Sequence, residues 1–480
     1  MTRRYFRKVA FGIGPDKQVP SDPVKWAQAQ LDDVPDMTYG APLLSGDELL
    51  ARYGEFVHIR REVLRPKYRN DRQAYEREKD KLAFRMGEKF YESLELAARH
   101  HTAIHSPSPV FERLWLFWCN HFAITDKDFM PQFTTGPYHR EIIRQHMTGS
   151  FRELTEAATI SWAMIHNLDN SESVGPNSQR GKWRRKEGKP ATVNENHARE
   201  LLELHMLSPE AGYTQKDVIA LSYIMAGWRH DWTKKRQECN PVKFDQKAHE
   251  PGDHKVLGKR YKQRGLTPKN KLLDAIADLA VHPECAKFIA KKLCRHFICD
   301  DPTPEMMAPL IEAFRESDGD LPTIHKVLMQ VVWDHGQDHY KFHNPEVWLL
   351  QMVTMTGATW PPPPEMMGYK FDDYPNKIMR APERYMKEIG HNPYRPDQPN
   401  GWPDTKLEWL SPELLIRRLT FARRFSSGVH QPKELDFDAM IEKNFDNVEE
   451  VQASLDGLKE RRSENVKMQV LFPSAWMLLS

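Results

Sequence analysis

Apolar residues recur along this chain at helical spacing, in stretches divided by polar and proline-rich segments. The densest stretch, PVFERLWLFWCNHFAI over 109–124, is apolar and aromatic on every side and predicts a buried helix. Amphipathic spacing predicts further helices at 24–31, 46–57, 72–101, 137–147, 151–166, 194–207 and 214–228. The second half adds 271–281, 283–297, 304–317, 321–333, 345–357, 412–425 and 447–459. Asp22-Pro23 is a start signal for the first of these. Three segments lack the periodicity: 170–192, 230–268 and 359–404, the last containing Pro361 to Pro364. They predict long irregular loops. No fixed-period repeat is present. The predicted fold class is all-α: one large multi-helix domain over 1–430 with those three loops, then a C-terminal helical extension over 431–480.

Composition narrows the picture. Of 480 residues, 69 are Lys or Arg and 67 are Asp or Glu, a net charge of +2. That balance argues against a dedicated nucleic-acid binder. With 40% hydrophobic and 28% charged residues the chain is not disordered overall. Prolines (35) outnumber glycines (24), which suits helices punctuated by stiff loops. Five cysteines, an odd number with no C-x-x-C pair, argue against a disulfide framework or a zinc ribbon and for a reducing compartment. The basic start runs into the short, Gly-rich stretch Val9 to Pro15, which is no secretory signal, and no apolar run is long enough to span a membrane. The reading is cytoplasmic.

The segment NENHARELLELH, 194–205, is the densest in chemistry. On a helix, Ala198, Leu201, Leu202 and Met206 define an apolar sector, with Glu195 and His205 inside it and Arg199 at its edge. Charge on an apolar face is costly unless paired. Two readings stand. Glu195, Arg199, Glu203 and His205 line a polar cavity between helices; or Thr192 and Glu195 form a capping box and Arg199 bridges Glu195 and Glu203. Asn120 and His121, adjacent polar groups at the end of the aromatic helix, mark a second place where a pocket could open. The loop 244–261 offers His249, Glu250, Asp253 and His254, donors of the right type for a metal in a spacing that fits no familiar zinc site. There is no H-E-x-x-H and no G-x-S-x-G. GPNSQRGK, 175–182, has five residues between its glycines where a P-loop takes four, and reads as a loop. The basic run 182–189 reads as a solvated loop tip. Of the E-x-x-H pairs a di-iron bundle needs, Glu388 and His391 fall in the Pro-rich excursion, so the pair at Glu55 and His58 stands alone.

The strings LWLFWCNHF (114–122), NENHARELLELH and GYTQKDV (212–218), with AGW (226–228), HEPG (249–252), LGKRY (257–261), FIAKKL (288–293) and Gly401-Trp402, resemble the bacterial domain-of-unknown-function 1800 family from about residue 5 to about 425. The resemblance implies a mainly helical, biochemically uncharacterised protein, often encoded beside a sulfatase-like protein of the domain-of-unknown-function 1501 family. Matching the motif positions implies a site among His121, Glu195, Arg199, Glu200, Glu203, His205, Asp217, Trp228 and His249. With Asn120 added from its place at the helix end, the reading takes Glu195, Arg199, Glu200, Glu203 and His205 as catalytic, Asn120, Asp217 and Trp228 as substrate-binding, and His121 and His249 as holders of a divalent metal. Ser208-Pro209 and His254 depart from the pattern, at loops near that site. Three functions follow as alternatives: an enzyme doing acid/base or metal-assisted hydrolytic chemistry on a polar substrate; a binding or assembly protein whose Glu/Arg/His cluster is a structural ion-pair network; and a metal or haem redox protein.

Overall fold

The central helix, Pro109–His121, begins with proline at its first position and Glu112 in its first turn, both favourable at a helix start. It is buried from Val110 to Cys119, as an all-round apolar sequence requires. Its polar edges are satisfied from outside. Trp115 Nε1 donates to the His139 carbonyl at 2.8 Å, and Trp118 Nε1 to His325 Nε2 at 3.0 Å. In the computed structural model, residues 3–40, 43–230, 242–263, 270–364, 381–426, 435–456 and 464–480 are described.

The described residues are mostly helical, and their strands form two separate two-stranded antiparallel ladders. One core gathers around the central helix, from Phe6 and Val9 through Leu201, Leu202 and Leu221 to Ile289, Leu293 and Leu328. A second gathers around Trp348, from Phe342 through Trp360, Tyr385 and Phe421 to Phe437, Phe472 and Met477; these are the two largest, and smaller apolar clusters are separate, one of them around Tyr53, Phe56 and Phe133. The helix Arg4–Val9 lies between the two largest. Tyr5 and Phe6 join the first core, while Arg7 donates to the Trp476 carbonyl at 2.5 Å and to that of Leu479. None of the described helices is long and apolar enough to cross a membrane.

The structure refines several expected elements. The helix expected over 72–101 is two, Arg72–Arg85 and Glu88–His105, because Gly87 takes a left-handed conformation (φ 87°) between them. The loop expected over 170–192 contains the helix Gln179–Lys186, capped by Ser178, whose Oγ accepts from Gly181 N at 2.9 Å. The Arg and Lys that looked like a solvated tip are good helix formers once capped. The loop expected over 230–268 contributes ladders: Trp228–His230 pairs with Val242–Phe244, and His254–Val256 with Lys259–Tyr261. Within the expected excursion 359–404, Ala381–Glu388 is helical, and 365–380 lies outside the described residues. Cys119, Cys285, Cys294 and Cys299 are buried free thiols; Cys239 lies outside the described residues.

Candidate functional site

The NENHARELLELH segment forms an α-helix, Asn196–Glu200, that passes directly into a π-helix, Leu201–Met206. π-turns are rare and frequent at functional sites. The expected capping box is absent: Glu195 sits at the N-cap in helical conformation with no side-chain cap, and Asn194 Oδ1 instead accepts from Asn196 N at 2.9 Å. Glu195 is thereby free to turn forward along the helix. Its Oε2 takes a hydrogen bond from Arg199 Nη2 at 3.2 Å, and Arg199 Nη2 also donates to Gln215 Oε1 at 2.7 Å. Gln215 Nε2 closes the triangle on Glu195 at 2.5 Å. Glu203 does not join Arg199; it accepts from the Tyr213 hydroxyl at 3.1 Å. Burial, with the Glu203 charge beside it, raises the pKa of Glu200.

Glu195 and Arg199 wall an open basin of about 860 Å³. Arg184, Glu172, Asn194, Asn196 and Arg229 share that wall. A neighbouring basin of about 800 Å³ is lined by Arg180, Lys243, Asp245 and Lys247, and Arg229 belongs to both. Asp245 is the counter-charge there, 2.7 Å from Arg180 and 3.9 Å from Arg229.

His121 and His205 meet separately, in the core. His121 Nε2 donates to the His205 carbonyl at 2.9 Å, an acceptor on the π-turn, and the two rings lie 6.1 Å apart. Both are buried, and burial followed by the nearby Lys292 charge depresses the His121 pKa. Burial takes His205 and its neighbour His197 down to about 3. Lys292 itself, pressed toward the Phe288 ring at 5.5 Å, is lowered by burial to about 8.

Asn120, Asp217, Trp228 and His249 lie outside the lining of the basin walled by Glu195 and Arg199. Asn120 clasps the backbone of Trp402, donating to its carbonyl at 2.9 Å and accepting from its N–H at 2.8 Å. Asp217 caps its own helix through Thr214 and accepts from Leu257 N at 2.8 Å, tying down the turn between the strands His254–Val256 and Lys259–Tyr261. Burial opposes the charge of Asp217, but the Thr214 and Leu257 donors hold it below the usual carboxylate range. Trp228 pairs with Phe244 in its ladder, and its Nε1 finds no acceptor among the described residues. His249 Nδ1 donates to the Ala226 carbonyl at 2.7 Å, and its Nε2 faces the Lys271 ammonium at 3.4 Å. Burial takes His249 down to about 4.

A divalent metal finds no ligand set here. Among the described residues no group of three His, Cys, Asp or Glu is placed to hold one. Nε2 of His249 faces the Lys271 ammonium, which disfavours a second cation there; the carbonyl on Nε2 of His121 leaves its Nδ1 available, but no group of three donors gathers around it among the described residues. Glu250, expected beside them, instead takes Asn177 N at 2.8 Å and Asn177 Nδ2 at 2.6 Å, stitching 175–178 to the turn after His249.

Of the expected site, then, the structure brings Glu195 and Arg199 together in a basin and His121 and His205 together beneath the π-turn. It adds groups the sequence reading did not single out: Arg184, Arg229 and Glu172 at the basin, Gln215 bonded to Glu195 and Arg199, His197 in the core, and the half-buried Lys292, whose charge bears on His121 and His205. Gln215 was within reach, since it stands in the quoted GYTQKDV string. The others depend on helix packing. A family model described as a protein of unknown function, DUF1800, matches residues 4–471. No curated protein and no solved structure matches the chain.

Proposed function

We propose, from the premise that the chain belongs to the DUF1800 family, that the basin walled by Glu195 and Arg199 binds a polar, anionic substrate and performs acid/base chemistry on it. The observation that carries this reading is the joint presence of Glu195, Arg199, Arg184 and Arg229 around one basin of about 860 Å³, a size ordinary for small-molecule sites. Guanidinium forks match carboxylate and phosphate oxygens. Asn194 and Asn196 add amides suited to hydroxyl groups. Glu195 is the acid/base group, with the Glu172 carboxylate on the same basin. An anion that recruits Arg199 leaves Glu195 held by Gln215 alone.

A second reading, a binding protein with Glu195, Arg199 and Gln215 as a structural network, is favoured by the closed triangle these three form. A thermal-shift screen of sugar acids and phosphate monoesters, followed by calorimetry and product analysis, separates the two. The expected result is a ligand bound about tenfold or more weaker by Arg199→Met, and converted about 10²–10⁴-fold slower by Glu195→Gln, with little change in melting temperature. Variants that lose stability while every ligand response stays unchanged would establish the network reading instead.

A further inference from the structure

The core around Trp348 holds a cation for which the described residues supply no acceptor. Arg418, on the helix Pro412–Ser426, is fully buried. Its guanidinium carbon lies 4.9 Å from the centre of the Phe342 ring and 5.5 Å from that of Trp348. Its Nε, Nη1 and Nη2 all lack a hydrogen-bond partner among the described residues. Other buried arginines are answered. Arg99 meets Glu346 at 2.7 Å, Arg144 meets Glu112 at 2.8 Å, and Arg113 meets His296 at 2.7 Å.

An enclosed ion without hydrogen bonds carries one of the largest penalties in a fold. Two ring faces offset part of it, but they leave the in-plane N–H groups unmatched. Arg113, Arg7, Lys8 and Arg418 all bear on His343, which burial and these charges hold neutral. No carboxylate offsets the burial that lowers Arg418 to about 9, so it stays charged at neutral pH. A buried planar fork of unmatched donors is the recognition chemistry for an anion. Full burial limits its size.

We propose that Arg418 holds a compact monovalent anion, a halide or a planar oxyanion no larger than nitrate, enclosed against Phe342 and Trp348. This site is separate from the Glu195 basin, and neither depends on the other.

The test is the melting temperature of the full chain, dialysed into sodium gluconate, as chloride, bromide or nitrate replaces gluconate at constant ionic strength. The expected result is a rise of about 1–2 °C per tenfold increase in the bound anion, absent in Arg418→Met. A rise that persists in Arg418→Met overturns the proposal, because the anion then acts elsewhere. Wild-type crystals grown in sodium bromide give the second measurement, which decides even if Arg418→Met fails to fold. An anomalous peak at hydrogen-bond distance from the guanidinium supports the site where Arg418→Met cannot be measured. No peak together with no anion-dependent melting overturns it.

Discussion

His197 and His205 are buried imidazoles whose ring nitrogens have no hydrogen-bond partner among the described residues. Both folded pKa values fall to about 3, so the unfolded state, titrating near 6.5, binds more protons as pH drops. Their contribution to stability is complete above about pH 6.5 and is lost as pH falls from there toward the folded values. Replacing His197 with Phe removes one such group. The expected outcome in urea denaturation is a dependence on pH between about 6 and 4 shallower by up to ~1.4 kcal/mol per pH unit; an unchanged slope would show that His197 does not titrate on unfolding. The Arg144–Glu112 pair gives a second prediction at this scale. Both side chains are fully buried, and Arg144 also donates to the Pro35 carbonyl at 2.8 Å. Arg144→Leu strands the Glu112 carboxylate and is expected to cost about 3–5 kcal/mol, with part regained in the double variant Arg144→Leu/Glu112→Met. The sequence exposed Glu195 and Arg199 because charge near an apolar sector and four-residue spacing are local signals. It hid Lys292 and Arg229, whose placement is set by other elements.

Elements carry the next level of the design. The π-turn at Leu201–Met206 follows from no composition rule that separates it from ordinary helix, which is why the sequence predicted one uninterrupted helix there. What supports it is lateral: the imidazole of His121 takes the His205 carbonyl. The basic helix Gln179–Lys186 was missed for a different reason. Its run of charge resembles a solvated loop until the Ser178 cap is recognised. The apolar helices were legible because burial on one face or all faces leaves a period in the sequence. At this scale Asp217 is a link between elements. Asp217→Ala removes both the helix cap and the anchor of the Leu257 turn. It is expected to lower stability by about 1–2 kcal/mol in chemical denaturation and to speed hydrogen exchange at the Leu257 amide; protection unchanged at that amide would sever the link. Gly401, at φ 75° with the Asn120 carbonyl 2.5 Å from where a Cβ would stand, admits no side chain. Gly401→Ala therefore opens the Asn120–Trp402 clasp, read as a drop in melting temperature larger than that of Asn120→Ala.

At the scale of the molecule, the two cores are joined by polar ties across long stretches of sequence. Arg99 and His100 converge on Glu346, and His296 accompanies Asp404 at 2.8 Å. Glu346 is held well below the usual carboxylate range: burial opposes its charge, but the Arg99 charge and the His100 bond outweigh it. Glu346→Ala leaves Arg99 buried beside an empty position and is expected to cost about 3–5 kcal/mol. Because the ties couple the cores, calorimetry is expected to show one transition in the wild type; two resolved transitions would mean the cores melt independently. Residues 342–425 and 437–478 contribute to the same apolar cluster. A chain cut at 430 therefore loses Phe437, Met440 and Phe472 from it and is expected to be insoluble. Helix after helix was readable one segment at a time, whereas the partition into separate cores was not, since no local period records which apolar face meets which.

The short helix Arg4–Val9 has a consequence for how the protein is made. Its neighbour Ile13 is fixed by Asn444, 431 positions later, and Arg7 by Trp476 and Leu479. At ordinary rates of synthesis that interval takes on the order of 20–90 s. Throughout it Tyr5, Phe6, Val9 and Phe11, all buried in the finished protein, leave the ribosome with part of their binding surface not yet translated. The contacts of the first helix with this far end therefore form only after residues 444–479 have been synthesised.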